Sequence, residues 1–490
     1  MREPPSNTAV AVRAIAPGTD PVGAFARLRG GGAGWLLHSA LRDPRLGRFS
    51  FVGASPYAIA RVRARHLELE VLRDADPRFA RGRHRATGDP LALLRRLLPR
   101  APREDPPAVP FCGGAVGYLG YELAEQLDVH ALHGRDDLGL PDAVFLLVDR
   151  VLAFDHERDT LAACGVGIAD DPAAARAHAE RAAAELAAAL AGPARPAGAG
   201  APAPPARATD PRDLADEAID PATFAKAVDR VKEEIAAGNV YQACFTSRAC
   251  RRFIGDPWRL YECLQRVNPA PFAGFLELPE VAVVSSSPER FLRVSRDGEV
   301  ESRPIKGTAA RGRDPLEDAA RRRALAESAK DRAENLMIVD LVRNDLSRVC
   351  RTGSVHVPEL MAIEAYASVF QMVSTVTGRL ASDRDAFDAV RAAFPPGSMT
   401  GAPKIAAMAL LDRLEPVRRA IYSGAIGYFD VFGGADLSVV IRTALVVDGR
   451  AWLHAGGGVV ADSDPAAEYR EALDKLRPLL AALGDAEAGR

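Results

Sequence analysis

Arg303-Pro304-Ile305-Lys306-Gly307-Thr308, with Ser287-Pro288-Glu289-Arg290-Phe291 just upstream, is the stretch on which the reading turns. Apolar segments on either side read as strands, around 290–296 and 300–305. A lysine between apolar segments is costly to bury, because desolvation disfavours its charge. The same cost lowers its pKa and makes the amine a nucleophile. Glu289 lies 17 residues before Lys306, a spacing that a hairpin would bring together. Alone, this stretch is better read as an ordinary surface lysine at a turn. What decides is the order of motifs in the rest of the second half.

Working outward, a helix is expected near 221–237, capped by Asp220 with Pro221 at its first position. Strands follow near 240–252, 272–278 and 281–286. After the central hairpin comes a long helical segment over 315–346. Another helix begins after Pro403, and strands cover 422–430, 437–447 and 451–460. A last helix runs from Pro465 to about Leu483 under an Asp464 cap. Strands come in hairpin-like runs, not as regular βαβ units, so antiparallel α+β is the expected class. Residues from about 9 to 170 are β-rich, with the alternation His66-Leu67-Glu68-Leu69-Glu70-Val71. The glycine-dense run 111–121 reads as a strand closely approached by other backbone. Residues 172–191 form an alanine-rich helix. Gly192 to Pro211 is rich in Pro, Ala and Gly, the composition of a linker. The expected division is therefore 1–191, a linker at 192–215, and a catalytic region at 216–490.

Composition narrows the class. The 490 residues are 48% hydrophobic and 26% charged with net charge -2, which suits a globular protein and gives no sign of a nucleic-acid or membrane-surface partner. No uncharged apolar run reaches the length of a membrane span. The N-terminal Met1-Arg2-Glu3-Pro4-Pro5 has no apolar run of a signal peptide. The six cysteines form no C-x-x-C pair, so free thiols in a reducing cytoplasm are expected.

Several side chains carry chemistry. Glu468, Glu471 and Lys475 share one face of the last helix. Two carboxylates on one stripe suit a hard divalent cation, although on the helix taken alone a solvated, salt-bridging face is much the better reading. Glu334 matters if its helix faces them. Gly456-Gly457-Gly458 opens backbone N–H groups to a carboxylate, or is a plain turn. Arg442, in an apolar strand, needs an anion if buried. Tyr422 adds a hydroxyl. The loop 396–404 feeds a helix and does not have P-loop spacing.

The segments SPERF (287–291), RPIKGTAARG (303–312), ENLMIVDLVRNDLSRV (334–349), GSMTGAPK (397–404), YSGAIGYF (422–429), IRTA (441–444) and AGGGVVADSDPAAEYRE (455–471) occur in one order. In that order they resemble component I of the chorismate-utilising enzymes, the family of anthranilate, aminodeoxychorismate, isochorismate and salicylate synthases. WLLHS (35–39), GRFSFVGASP (47–56) and GGAVGYLGYE (113–122) match more loosely. The resemblance implies a two-subdomain α+β sandwich, with two mainly antiparallel sheets packed face to face and helices outside. It implies a Mg²⁺-dependent enzyme acting on chorismate, with Glu334, Glu468 and Glu471 toward the metal. Gln242, Gly307, Thr308, Thr400, Tyr422, Arg442, Gly456, Gly457 and Lys475 would surround the substrate, and Glu289 would help the 4-hydroxyl leave.

Two positions separate the members. Hydrolytic members carry a lysine base where this chain has Gln242, which argues against isochorismate or salicylate synthesis. Anthranilate synthases usually carry alanine where Lys306 stands. A lysine there marks the branch that aminates chorismate at C4 through a covalent lysine adduct, toward para-aminobenzoate for folate or a secondary metabolite. Anthranilate synthase, aminodeoxyisochorismate synthase and a non-catalytic chorismate-binding subunit remain as alternatives. No glutaminase nucleophile segment surrounds any cysteine, so the resemblance implies ammonia from a separate glutamine amidotransferase subunit. WLLHS is similar to a tryptophan-binding segment of relatives, placing a tryptophan-type site near Ser39. Gln371 departs from a histidine found in many relatives and cannot carry a proton as imidazole does.

Overall fold

The computed structural model describes residues 7–30, 32–42, 45–104, 106–127, 129–192, 220–366 and 369–489. The N-terminal segment Met1–Pro5, and the linker beyond Gly192, lie outside the described residues. Two large antiparallel sheets account for most of the strands. One runs, edge to edge, Asn7–Ile15, Thr160–Ala169, Arg150–Asp155, Phe49–Ala54, Gly34–His38, Phe272–Glu277, Ala282–Ser287, Thr443–Val447, Arg450–Val459, Gln242–Arg252 and Gly401–Ala402. The other runs Ile305–Ala310, Val369–Arg379, Glu299–Ser302, Arg290–Val294, Ala435–Val439, Ala425–Asp430, Gly114–Leu119, Ala143–Val148, Ala58–Arg63, His66–Val71 and Gly82–Thr87. His356–Ala365 also pairs with Val369–Arg379.

The sheets pack face to face. Trp35, Phe51, Val283 and Leu445 of the first interdigitate with Ile59, Val116, Val144 and Ile426 of the second. Each outer face is covered by helices: Pro221–Ala236, Pro257–Val267 and Pro465–Glu487 on the first sheet, Pro90–Leu97, Ala329–Ser347 and Ala386–Ala393 on the second. This is the expected α+β sandwich with helices outside. Strands from before and after the linker lie side by side in both sheets, as where Gly34–His38 pairs with Phe272–Glu277 and Gly114–Leu119 with Ala425–Asp430.

Local chemistry sets the helix starts. The Asp–Pro entry read at 220 and 464 recurs at 20, 89, 171, 256 and 314. In each case the carboxylate accepts a first-turn N–H while proline, lacking one, leaves no donor unpaired. The helical segment expected over 315–346 is two helices, Pro315–Glu327 and Ala329–Ser347. Ser328 is extended, ending the first, and its side chain accepts from Asp331 N to start the second. The strand expected over 437–447 is also two, and they lie in different sheets. The chain crosses between sheets at 440–442, where Arg442 takes φ 50°. It crosses again between Ala282–Ser287 and Arg290–Val294, at Glu289.

Candidate active site

Lys306 sits on an edge strand whose pairing with Val369–Arg379 slips between Ile305 and Thr308. A bulge of this kind re-aims a side chain out of the pleat. Gly307 makes it feasible, with φ 91° and no room for a side chain: a Cβ there would lie 3.0 Å from Asp331. Gly307 thus serves the backbone, and Thr308 is exposed opposite Gln371.

The three glycines lie on Arg450–Val459 beside Gln242–Arg252, with Gly458 opposite Cys244 and Gly457 opposite Phe245. They form the floor on which the charged groups converge. A Cβ on Gly458 would lie 3.1 Å from Lys306 Nζ and would strike the Gln242 amide. A Cβ on Gly457 would lie 3.0 Å from Glu468 Oε2 and 3.7 Å from both Glu471 Oε1 and Lys475 Nζ. Lys475 donates to Gly456 O at 2.7 Å and pairs with Glu471 at 2.6 Å. Gln242 is fully buried, and neither its amide nitrogen nor its oxygen has a hydrogen-bond partner among the described residues. Such a group is costly to leave unmade, so it points to a polar ligand.

The acids occupy different environments. Glu289 is buried, and desolvation pushes it up to about 7 against the pull of Ser398, the Lys306 charge and the Ile305 N–H. Glu334, on Ala329–Ser347, is raised by burial, opposed by Lys306 and Lys330. Glu468 is buried and accepts from Ser463 Oγ at 2.7 Å and Lys330 Nζ at 3.1 Å. Glu471, half exposed, is raised by burial but drawn below the ordinary value overall by Lys475, Lys306 and Lys330.

Lys306 itself corrects an expectation. Burial does pull its pKa down, as its apolar flanks suggested. The charges of Cys244, Glu334, Glu289 and Glu471 outweigh that and leave it above the ordinary lysine value. In the free protein Lys306 is therefore an ammonium, not a standing nucleophile.

Arg442, at the crossover between sheets, has no hydrogen-bond or ion-pair partner for its guanidinium among the described residues. Burial lowers its pKa, partly offset by Tyr422 and Glu471. Tyr422 is buried and stacks on His454 at 4.3 Å. Thr400 is buried, with its hydroxyl turned to Gly397 O at 3.2 Å. Ser39 stands apart from these groups: its hydroxyl donates to Phe49 O and its N–H to Ser50 Oγ.

Supporting residues went unread in the sequence. Asn335 accepts from Ser374 Oγ at 2.5 Å, fixing the Glu334 helix to the Val369–Arg379 strand. Lys404 is buried and binds Asp345 Oδ2, Ala393 O and Pro395 O at 2.7, 2.7 and 3.0 Å, tying the 397–404 loop to the far end of that helix. Arg419 is buried against Glu415, Met399 O and Cys244 O, and Glu415 in turn accepts from Thr246. Lys330 had a local signal, standing four residues before Glu334 on one helix.

The family model for chorismate binding enzymes matches residues 74–481. Aminodeoxychorismate synthase of Streptomyces griseus is 48% identical over 82% of this chain and 53% of its own length, so the chain spans about half of that relative. Aminodeoxychorismate synthase component 1 of Klebsiella aerogenes is 38% identical over 91% of this chain and 92% of the relative. Anthranilate synthase component I of Streptococcus pneumoniae superposes with TM-score 0.73 at 27% identity, covering 94% of this chain and 97% of that one. The order of motifs, the paired sheets and a family match across most of the chain agree: this chain belongs to the chorismate binding enzymes.

Proposed function

We propose that the chain is an aminodeoxychorismate synthase component I, converting chorismate and ammonia to 4-amino-4-deoxychorismate. The observation that carries the reading is the convergence of Lys306 and Gln242 over Gly458, with Glu289 poised near neutrality beside them. Neutral Lys306 attacks C2 of chorismate while Glu289 gives its proton to the departing 4-hydroxyl. The C2–N bond forms, both ring double bonds shift by one position, the C4–O bond breaks and water leaves. Ammonia then attacks C4, both double bonds shift back, and the C2–N bond breaks to restore Lys306. Glu289, now a carboxylate, takes up the proton that the new C4 ammonium sheds. Two displacements leave C4 with its original configuration.

Arg442, Tyr422, the Gly456–Gly457 backbone and Lys475 receive the substrate's carboxylates. Arg442 supports this, being a guanidinium without an anion. Glu334, Glu468 and Glu471 would hold Mg²⁺. The donor chemistry fits: all are oxygens, Gly457 leaves the space a Cβ would fill beside two of them, and an ammonium already bridges Glu334 and Glu468. Among the described residues no three side chains close into a ready-made metal cage, which suits an ion that keeps water and borrows substrate oxygens. When bound, Mg²⁺ supplies charge to hold the ring carboxylate. Ammonia would come from a glutamine amidotransferase subunit. Among the described residues no helix is long and apolar enough to cross a membrane, and all six cysteines are free and buried, as suits a reducing compartment.

The test is product identity. The purified chain, chorismate, Mg²⁺ and ammonia at alkaline pH should give a 4-amino product by chromatography and mass spectrometry. Anthranilate instead would mean that Lys306 does not set regiochemistry, and the likeness to anthranilate synthase would then decide the activity.

A further inference from the structure

Lys330 is a charged group near the site that neither the proposed chemistry nor the substrate contacts use. Its Nζ lies 3.1 Å from Glu468 Oε1 and 3.8 Å from Glu334 Oε1, bridging the helix Ala329–Ser347 to the helix Pro465–Glu487. Those are two of the three carboxylates proposed for the metal. Glu468 is 3% exposed and Glu334 8%, so each would carry an unbalanced charge with little water to solvate it. The Lys330 side chain is 41% exposed, so its head can leave toward solvent while its stem stays in place.

We infer that Lys330 is a tethered counter-ion that occupies the metal's place between Glu334 and Glu468 and competes with the divalent ion for them. The inference rests on the metal reading above. An ammonium satisfies the two carboxylates in the metal-free protein, so the two helices stay together without metal. A divalent cation binds oxygens that Lys330 must first release. Lys330 therefore weakens metal affinity while stabilising the metal-free fold. Lysine suits the role because its compact charge sits on a flexible stem, whereas a guanidinium would hold both carboxylates in a fixed fork.

The test uses Mn²⁺ as the probe. Free Mn²⁺ is titrated by electron paramagnetic resonance against the wild-type chain, Lys330→Met and Lys330→Gln, and thermal unfolding is followed with and without Mn²⁺. Both variants should bind Mn²⁺ on the order of fivefold tighter, a modest factor because the displaced Lys330 head is 41% exposed and readily solvated. Both should also unfold earlier without metal and gain more from it than wild type. Having two substitutions guards against one failing to fold. Equal or weaker Mn²⁺ binding in the variants, with clear binding in wild type, overturns the competition and leaves the metal site standing. No Mn²⁺ binding by any of the three overturns both.

Discussion

The two proton-handling groups want opposite states from the ones they hold, and that fixes a pH profile. In the proposed chemistry Glu289 must donate a proton but sits at about 7. Lys306 must there be neutral but lies above the ordinary lysine value of 10.5. Between those two values the dominant form has Glu289 ionised and Lys306 charged. The reactive form, with the proton on Glu289 and none on Lys306, is a fixed minority. Each pH unit between the two pKa values makes that form tenfold rarer, about 1.4 kcal/mol per unit. Since both pH effects cancel there, adduct formation should be flat from about pH 7 to beyond 10.5. It should fall tenfold per pH unit below 7, where Lys306 stays charged and Glu289 gains no further protonation.

Glu289→Gln separates the two. Glutamine does not titrate, so only Lys306 remains, and the rate should climb tenfold per pH unit from 7 to 10 with no plateau. At pH 7 it should also lie about 10²–10⁴-fold below wild type, the usual loss for a general acid, with the gap narrowing as the pH rises. Single-turnover mixing with chorismate and Mg²⁺ but no ammonia isolates this half-reaction, and intact-protein mass spectrometry counts the adduct, chorismate less one water. If wild type and Glu289→Gln share one profile, Glu289 is not the proton source. If adduct forms with no dependence on pH in either, Lys306 is not the group that attacks.

Lys306→Ala should abolish both the adduct and C4 amination, a loss of at least about 10³-fold in kcat; unchanged C4 amination would end the covalent proposal. Glu334→Gln should lower the Lys306 pKa, because it removes a charge that holds the ammonium; ¹³C NMR of reductively methylated protein would read this, and an upward move would contradict the stated field. Gly458→Ala places a methyl 3.1 Å from Lys306 Nζ and against Gln242, so kcat/KM should fall about 10²-fold while the melting temperature barely moves. Lys404→Met should destabilise by about 3–5 kcal/mol in urea unfolding, since it strands buried Asp345 and two carbonyls.

Most of the proposed site could be read because its residues cluster in short motifs whose local structure is self-contained. Glu468, Glu471 and Lys475 share a helix face in the sequence as in the fold, and Gly456–Gly458 marks a close approach in both. The strand Val369–Arg379 was missed, although Lys306 depends on it for its bulge, because nothing local to residue 306 names its partner. Arg442 was placed inside a strand because its neighbours are apolar, yet they are apolar for two different sheets, and the arginine stands where the chain passes between them.

Lys306 shows why the remainder could not be read. Its flanks report desolvation correctly, and desolvation is the largest single influence on it. What reverses the sign is the combined field of Cys244, Glu334, Glu289 and Glu471, 62, 28, 17 and 165 residues away along the chain, gathered by a strand, a crossover, a helix on one sheet and a helix on the other. Charges act through space, and these four groups together outweigh the burial that the neighbouring sequence announces. The same gathering that keeps Lys306 charged also assembles the proposed metal ligands. A divalent ion on Glu334 and Glu471 would offset part of the charge that holds the Lys306 proton, so in the proposed chemistry metal occupancy and lysine nucleophilicity would be coupled through shared carboxylates.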